Sequence, residues 1–537
     1  MEMQQSYRPS HRSRSEGPRF RAIIITISFL LAAGVAIFIF YKILKKEIVI
    51  VPATVSYDSS LTDAERSKLE DIFKDKHLAH DVKISATSVD SYVDPDISCT
   101  DEKCKTSKLL FDIELPTTNF YNSALDITFD KAKNLPVYTS EEAKKQKEDS
   151  VYLLSIRDLT PELRVLSVDN EYVLDYLARS DKANFQNTYK GAVFRVLNLD
   201  SEDSKESYDI ISSALTQLPN SDTLLSIKQT GVTALTRRML NTLSQVGNGA
   251  YFAEKIADFL KIADVTHISN EISFANDCSN SSSTALCSSP KMFDAITAIG
   301  TDIVELTGNH NNDWGAANNI ASIEKYHENG IETYGGGINE EQAKVPIQIS
   351  KKGSGITMIG INESTSTKAN GQGALGDHPG ANIYDEVTLR QQIKEAKDRG
   401  DTVIVDIQFF ECYCYPDEGQ EMPQCDYPID NQQAFFRSII DMGADIILGT
   451  QAHQPQTYEI YKGKFIYYGT GNLFFDQTYW PGTERSLIFS HYFLGGKLLQ
   501  TRITPTVYDL SYQTRLMDTA EAEAFLARLV KASSRGE

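Results

Sequence analysis

The stretch DIVELTGNHNNDWG, residues 302–315, decides the fold. Its apolar start is typical of a short buried strand, and Gly308, Asn309 and His310 follow directly. In α/β folds, sites collect at the carboxyl ends of such strands. An asparagine–histidine pair there suits phosphoester chemistry, in which the amide oxygen ligates a metal and the histidine protonates the leaving group. The pair alone is a weak signal, and a polar loop with a helix cap is the alternative.

Two further polar segments follow predicted strands. Residues 449–477, GTQAHQPQTYEIYKGKFIYYGTGNLFFDQ, place His453 and Asn472 after apolar runs. Residues 265–274, VTHISNEISF, place Glu271 after another. Because sites in α/β folds form at strand ends, we expect these side chains to converge with the asparagine–histidine pair at one rim.

Alternating strands and helices dominate the chain from residue 224 onward and predict the α/β class. The predicted strands are 224–227, 265–268, 303–306, 356–361, 403–407 and 446–448, and the predicted helices are 251–262, 291–299, 316–327, 388–399 and 432–442. We expect this domain to occupy residues 224–510, followed by a C-terminal helix and tail at 511–537.

A smaller α/β domain is predicted at residues 47–220, because 537 residues exceed what one core usually serves. Its predicted strands are 48–55, 82–86, 109–115 and 151–156, with surface helices near 62–65 and 139–149. The polar segment SEDSKES, residues 201–207, indicates the boundary between the two domains.

Residues 22–41, AIIITISFLLAAGVAIFIFY, carry no charge. As a helix they would span about 30 Å, the thickness of a bilayer's hydrocarbon core. We therefore predict a transmembrane helix at 22–44. A cleaved signal peptide is the alternative, but its apolar region would be shorter and would end at a small-residue site. Five arginines precede the span and three lysines follow it, which favours a cytoplasmic tail at 1–21 and an extracellular ectodomain on a single-pass cell-membrane anchor.

Charge is distributed unevenly along the chain. The first 46 residues carry eight basic and two acidic side chains, a net of +6, which leaves −26 for the rest of a chain whose total is −20. A strongly negative ectodomain repels polyanions, so nucleic acid is excluded as a bulk electrostatic partner. An anionic ligand would need a local cation or a metal.

Seven cysteines fall into local groups. Cys99 lies close to Cys104, Cys278 lies close to Cys287, and the third group comprises Cys412, Cys414 and Cys425. Local pairs far from the anchor suit disulfides in an oxidising compartment. Zinc ligation is the alternative, although no CxxC spacing occurs.

Together the three polar segments resemble the CapA-type poly-γ-glutamate capsule-synthesis family, a branch of the calcineurin-like metallophosphoesterase superfamily. The resemblance covers about residues 224–510 and rests on 308–310 (GNH), 313–315 (DWG) and 471–474 (GNLF). It implies a four-layer α/β/β/α sandwich with its site between the two central sheets. It also implies a divalent metal, manganese, zinc or iron.

The resemblance assigns roles to nine residues. They are catalytic His310, Glu411 and Asp313, metal-ligating Glu271, Asn309 and His453, and ligand-binding Asn472, Gln451 and Gln408. His310 would be the general acid, with Glu411 or Glu271 as ligand or base.

Three positions depart from the family pattern. Val232 stands where the bridging aspartate belongs, Gln408 replaces a histidine, and Gln451 replaces the first histidine of a His-Pro-His motif. Two ions about 3.5–4 Å apart need anionic bridging ligands to offset their repulsion. We therefore expect at most one ion, and the alternative is a metal-free hydrogen-bonded network.

Three functions remain open. The first is hydrolysis or transfer on an envelope polymer of the poly-γ-glutamate kind. The second is a non-catalytic polymer-binding module whose aromatic contacts would come from Tyr413, Tyr415, Tyr458, Tyr479 and Trp480. The third is a scaffold for other envelope proteins. The expected partners are thus the membrane and either an anionic envelope polymer or envelope proteins.

Overall fold

The structure is a computed structural model. It describes residues 53–57, 85–86, 110–132, 135–170, 172–178, 192–197, 222–278, 285–363, 365–409, 429–478 and 482–533. The predicted anchor at 22–44, the helix near 62–65 and the boundary segment 201–207 lie outside these ranges. Within them, every helix is too short or too polar to span a bilayer.

The amino-terminal part is built from short strands and short helices. They are β1 Ala53–Tyr57, β2 Ser85–Ala86, β3 Leu110–Asn119, β4 Asp126–Ile127, α1 Phe129–Ala132, β5 Val137–Tyr138, α2 Ser140–Ala143, β6 Val151–Ser155, β7 Leu163–Val165, β8 Ser167–Val168, α3 Val173–Ala178 and β9 Ala192–Leu197. Helix α2 opens with a capping box in which Thr139 and Glu142 satisfy each other's backbone amides.

A seven-stranded mixed sheet organises this part, with the order β2-β1-β9-β3-β6-β5 and β7 paired to β3. Strand β1 runs parallel to β9, whereas β3 is antiparallel to both β6 and β9. The α/β character predicted for residues 47–220 therefore holds where this part is described.

The strands of the carboxyl-terminal part are longer. They are β10 Leu224–Ala234, β11 Val265–Asn270, β12 Ile303–Glu305, β13 Glu332–Tyr334, β14 Gly336–Gly337, β15 Ile347–Lys351, β16 Ser354–Asn362, β17 Gly380–Ala381, β18 Thr402–Gln408, β19 Ile446–Thr450, β20 Tyr458–Tyr461, β21 Lys464–Tyr467, β22 Asn472–Phe475, β23 Arg485–Leu494, β24 Lys497–Val507 and β25 Arg515–Leu516. All six strands predicted here are present: 224–227 is seven residues longer, 303–306 is one residue shorter, and the other four are two or three residues longer.

Helices alternate with these strands. They are α4 Arg238–Val246, α5 Ala257–Leu260, α6 Phe293–Ala298, α7 Ala316–Glu328, α8 Glu340–Ala343, α9 Thr365–Ala369, α10 Glu386–Arg399, α11 Ile429–Met442 and α12 Thr519–Ala532. Helix α10 shows why the boundaries fall where they do. The Asp385 side chain accepts a hydrogen bond from the Thr388 amide at its start, and Gly400 closes its end at a φ of 87°.

Two large sheets form the centre. An eight-stranded sheet has the order β13-β12-β11-β10-β23-β24-β25 with β22 paired to β10, and a six-stranded sheet has the order β15-β16-β18-β19-β21-β20. Strands β10 to β13 are mutually parallel, as are β16, β18, β19 and β21. Each sheet therefore directs a set of strand ends, and the polar residues that follow them, to one edge.

Three buried apolar clusters surround these sheets. The first contains side chains of both sheets, including Ile227 and Ile404. The second joins the eight-stranded sheet to α4, α6 and α7, with Ile268 as one member, and the third joins the six-stranded sheet to α10 and α11, with Val405 as one member. The predicted α/β class is confirmed.

The folded unit extends beyond residue 510, where the sequence analysis ended the second domain. Helix α12 contributes Phe525, Leu526 and Leu529 to the cluster that both sheets share. The apolar face of this helix is buried, which removes its surface from water. The C-terminal helix predicted within residues 511–537 is thus present and packs in the core.

A buried ionic network joins the two parts of the chain. The Lys228 ammonium on β10 lies 3.3 Å from Asp175 on α3, and Arg502 on β24 lies 3.1 Å from the same carboxylate. Tyr492 donates a further hydrogen bond to Asp175 at 2.6 Å. These partners hold the pKa of Asp175 below its usual range although burial opposes it. All described residues fall in one compact unit, and the division into two domains stays a prediction.

Replacing Asp175 with alanine should lower the free energy of unfolding by about 3–5 kcal/mol, because the fully buried Lys228 would keep its charge without this partner. Chemical denaturation of the purified protein measures the change. Glu386→Ala, which breaks an exposed ion pair with Arg390 on α10, is the control and should have little effect. Equal effects of the two substitutions would contradict the assignment.

Candidate functional site

The two central sheets meet at a polar rim through Asn309 and Gln408. Asn309 follows β12 of the eight-stranded sheet, and Gln408 ends β18 of the six-stranded sheet. The Gln408 Nε2 donates to Asn309 Oδ1 at 3.1 Å, and Gln408 Oε1 accepts from the Thr450 hydroxyl at 3.3 Å. Hydrogen-bonded side chains, Asn309, Gln408 and Thr450, thus lie where the resemblance implied a histidine and a metal ion.

His310 and Asp313 form the pair of rim residues best suited to proton transfer. His310 Nδ1 lies 2.6 Å from Asp313 Oδ2, and the His310 side chain is one-fifth exposed. Asp313 also accepts from the Leu286 amide and from Gln372 Nε2, both at 2.8 Å. With Nδ1 engaged by a fixed carboxylate, the imidazole is oriented so that Nε2 is the nitrogen left to meet a ligand.

His453 is held as a neutral imidazole inside the protein. Its Nδ1 lies 2.9 Å from Asn472 Oδ1, and its ring packs 5.1 Å from the Phe475 ring. Burial, with smaller contributions from the charges of His310 and Arg237, lowers the pKa of His453 to about 3, although the hydrogen bond with Asn472 opposes the shift. The two imidazoles are therefore within electrostatic reach of each other, which brings the Asn-His loop and the later histidine to one region.

Glu271 lies directly beneath the Asn-His loop. It is fully buried, and its amide donates to the Thr233 carbonyl of the adjacent strand at 3.1 Å. A Cβ at Gly308 would come within 2.5 Å of the Glu271 Cα, so only glycine allows this approach. The glycine that precedes the asparagine–histidine pair is thus required by packing.

An apolar cluster occupies the position of the family's bridging aspartate. Val232 packs there with Ala234, Ile272, Leu286 and Phe475. Bridging of two ions needs anionic ligands at that point, and this cluster offers only hydrocarbon. Nor do the described ranges hold any group of three or more histidine, cysteine, aspartate or glutamate side chains spaced to bind an ion. The donors described do not fit a two-metal centre, and no step is assigned to a metal.

The structure brings most of the predicted residues to this rim in pairs: Asn309 with Gln408, His310 with Asp313, His453 with Asn472, and Glu271 with Gly308. Gln451 is buried next to them with a φ of 71°, a conformation that few residues other than glycine adopt. Glu411, Tyr413, Tyr415, Tyr479 and Trp480 lie outside the described residues.

The prediction that Tyr458 contacts a polymer is wrong. Tyr458 is 1% exposed and stacks on Tyr121 with ring centroids 5.9 Å apart, because β20 packs against the amino-terminal part. Conversely, the sequence analysis missed Gln372 and Leu286, both of which bond Asp313. Neither lies in a motif, and Gln372 is 59 residues from Asp313, so no local pattern identifies it.

A buried polar layer lies behind the rim, between the sheets. Asp406 accepts from the Tyr334 hydroxyl at 2.5 Å and from Gln229 Nε2 at 3.1 Å. The same hydroxyl lies 3.0 Å from His267 Nε2. Burial raises the pKa of Asp406 well above its usual range, and the nearby Glu305 charge adds to the rise. Burial also lowers the pKa of His267 to about 3. Burial therefore favours the uncharged forms of both Asp406 and His267.

The described residues define a mixed α/β protein with a polar site at the strand ends between two sheets. Residues 226–477 match the family model described as "Bacterial capsule synthesis protein PGA_cap". This match, over just under half of the chain, supports a divergent member of the CapA-type capsule-synthesis family and agrees with the resemblance found in the sequence.

Curated relatives support this membership. The chain is 27% identical over 202 residues to the capsule biosynthesis protein CapA of Bacillus anthracis, covering 37% of this chain and 46% of the relative. It is 25% identical over 233 residues to the PGA biosynthesis protein CapA of Bacillus subtilis, covering 43% and 58%. It is 24% identical over 194 residues to a probable polyglutamine synthesis accessory protein of Mycobacterium tuberculosis, covering 34% and 48%. The chain spans about half the length of the curated relatives it matches.

Among solved structures, the NAD nucleotidase NadN of Haemophilus influenzae aligns with 58% of this chain and 57% of its own. The sequence identity is 11% and the TM-score is 0.31. A likeness of this size does not define a shared fold.

Relative to wild type, Asp406→Asn should gain stability as pH rises above 3.8, the pKa of an ordinary aspartate. Above pH 3.8 the unfolded chain loses the Asp406 proton, whereas the folded protein keeps it because its pKa is raised. Stability therefore falls with rising pH through this window, by up to about 1.4 kcal/mol per pH unit, and asparagine removes the effect.

Urea unfolding at several pH values measures the difference between the variant and the wild type. Asp398→Asn, at an exposed position on α10, is the matched control and should leave the pH dependence as it is. A difference for Asp406→Asn that stays constant with pH would show that the carboxyl ionises equally in both states.

Proposed function

We propose that this protein is a membrane-anchored, extracytoplasmic, CapA-like protein that acts in the synthesis, export or anchoring of a capsule or envelope polymer of the poly-γ-glutamate kind. The observation that carries this proposal is the family match at residues 226–477, which contains all three polar segments of the rim. The names of the relatives, which refer to capsule, PGA and polyglutamine synthesis, support the same class of polymer.

For residues 224–510 we propose a four-layer α/β/β/α fold of the metallophosphoesterase kind. Its support is the arrangement of buried clusters, one shared by the two sheets and one between each sheet and its helices. Hydrogen bonds from Gln229 and Tyr334 of one sheet to Asp406 of the other add to that support.

The phosphoesterase-like site is degenerate in this proposal, and its main task is to bind the polymer. Three changes support this. Val232 lies in an apolar cluster, Gln408 donates its amide to Asn309, and Gln451 is buried with its side-chain oxygen unbonded among the described residues. Amides donate and accept hydrogen bonds without charge, which matches the repeating amide groups of a polypeptide-like polymer.

An anionic polymer must overcome the charge of the protein, which is −20 overall. Arg237 offers a local cation at the rim. Its guanidinium lies 5.2 Å from the Phe475 ring, and its charge helps to lower the pKa of His453. A cation beside the imidazoles would offset the repulsion where the polymer lies, while the remaining surface stays unfavourable.

Anchoring in the membrane is proposed from the uncharged residues 22–41. Placement of the ectodomain outside the cytoplasm is supported by the Cys278–Cys287 disulfide, which bears out the local pairing expected of these cysteines. Disulfides persist in oxidising compartments and are rare in the cytosol.

A second function is favoured by one specific observation, the His310–Asp313 pair at 2.6 Å. A fixed carboxylate behind a partly exposed imidazole suits general acid catalysis. In this function His310 would protonate the leaving oxygen of an ester in the bound polymer or its precursor, and the rim amides would hold the substrate.

Polymer binding is tested by titrating the full-length protein in detergent with poly-γ-glutamate of defined length. Wild type should bind, and Gln408→Leu should weaken binding about tenfold, because it removes the hydrogen bond that positions the partly exposed Asn309 at the rim, and one such bond contributes about 1.4 kcal/mol. Gln391→Leu, on the exposed face of α10, is the control and should bind as wild type does. Absence of binding by the wild type would overturn the proposal.

Hydrolysis is tested on the same preparation with chromogenic phosphodiesters and manganese, zinc or iron. If the site is a binding site, wild type and His310→Ala should show the same low rate, and elemental analysis should find less than one equivalent of bound ion. A wild-type rate that falls about a hundredfold or more in His310→Ala would establish general acid catalysis instead.

A further inference from the structure

A disulfide-closed segment lies against the Asn-His loop. Cys278 and Cys287 are nine residues apart in sequence and are bonded to each other. Beside them, Ser288 donates its amide to the Ser273 carbonyl at 2.9 Å, and Ala275 donates its amide to the Ser288 carbonyl at 2.9 Å. We call residues 272–275 and 285–288, with this disulfide, the clasp.

Leu286 is the residue through which the clasp reaches the site. Its amide donates at 2.8 Å to Asp313 Oδ2, the same oxygen that lies 2.6 Å from His310 Nδ1. Its side chain is 2% exposed and packs with Val232 and Phe475. One residue beside the disulfide therefore orients the His310–Asp313 pair and also covers the position where the family's bridging aspartate would stand.

The other strand of the clasp holds the same loop from behind. Ser273 donates its hydroxyl to the Asn311 carbonyl at 2.5 Å, and Ile272 forms a parallel β-bridge with His310. The loop that carries His310 and Asp313 is thus contacted on two sides by backbone segments that the disulfide links.

We propose that the Cys278–Cys287 disulfide organises the candidate site, with Leu286 as a positioning residue that fixes Asp313 and, through it, His310. Opening the disulfide lets residues 285–288 leave the rim, because a short closed ring has far fewer conformations than the open chain. The rim is then ordered only in an oxidising compartment. The link to polymer recognition rests on the proposed function, whereas the ordering of the loop does not.

The test measures backbone hydrogen exchange of residues 306–316 in the full-length protein. Cys278→Ser/Cys287→Ser should raise exchange in this segment about tenfold, the loss expected for one hydrogen bond, while strands β18 and β19 keep their protection. Asp175→Asn is the stability control, since it weakens the ion pairs with Lys228 and Arg502 and should not single out residues 306–316. Wild type reduced with dithiothreitol after folding replaces the double variant if that variant does not fold, and the double variant in dithiothreitol corrects for the other cysteines.

A double-mutant cycle distinguishes a positioning role of Leu286 and Asp313 from a general effect of the disulfide on stability. In wild type, opening the disulfide should weaken binding of poly-γ-glutamate about tenfold; in Asp313→Asn, which disturbs the contact already, it should have little further effect. Unchanged exchange at residues 306–316, or a rise shared evenly by all segments, overturns the proposal. Additive losses in the cycle also overturn the role of Leu286 and Asp313. If wild type binds no polymer but exchange responds as expected, the proposed function fails and the positioning role stands.

Discussion

Strand β10 is buried along all eleven of its residues, and the positions of the other parts follow from this. It pairs in parallel with β11 and β22 and antiparallel with β23, so it is the central strand of the larger sheet. Polar side chains on a buried strand must find partners inside the protein. Lys228 therefore reaches Asp175 of the amino-terminal part, and Gln229 reaches Asp406 of the opposite sheet. One strand thereby links both sheets and both parts of the chain.

The same strand also influences the polar rim, because the carboxyl end of β10 pairs with residues of β11 and β22 that lie at this edge. Val232 pairs in register with Ser269 of β11 and Asn472 of β22. A carboxylate at residue 232 would be buried beside Glu271, and two buried like charges are costly without a cation between them. A valine packed under Leu286 avoids that cost.

Sequence periodicity predicted the buried strands and most helices of residues 224–510, because their burial patterns are local. It failed where packing between distant segments decides. The predicted helix 251–262 is a 3₁₀ turn, Gly249–Ala253, followed by the short helix α5. A Cβ at Gly249 would lie 2.0 Å from the Lys291 carbonyl, so close packing with a distant turn interrupts the helix. Likewise, the motifs identified Asn309 and His310, but nothing local in the sequence could identify Leu286 or Gln372 as partners of Asp313.

Most of the rim's amide side chains bond one another, and the buried Gln451 oxygen is an exception among the described residues. Asn309 accepts from Gln408, Gln408 accepts from Thr450, and Asn472 bonds His453 while donating to Gln477. A buried polar group without a partner costs about 1–3 kcal/mol. The pairing of these amides across neighbouring strand ends avoids most of that cost. His310 is then the residue of this rim that combines partial exposure with a fixed carboxylate partner, so any ligand of the site meets an oriented imidazole first.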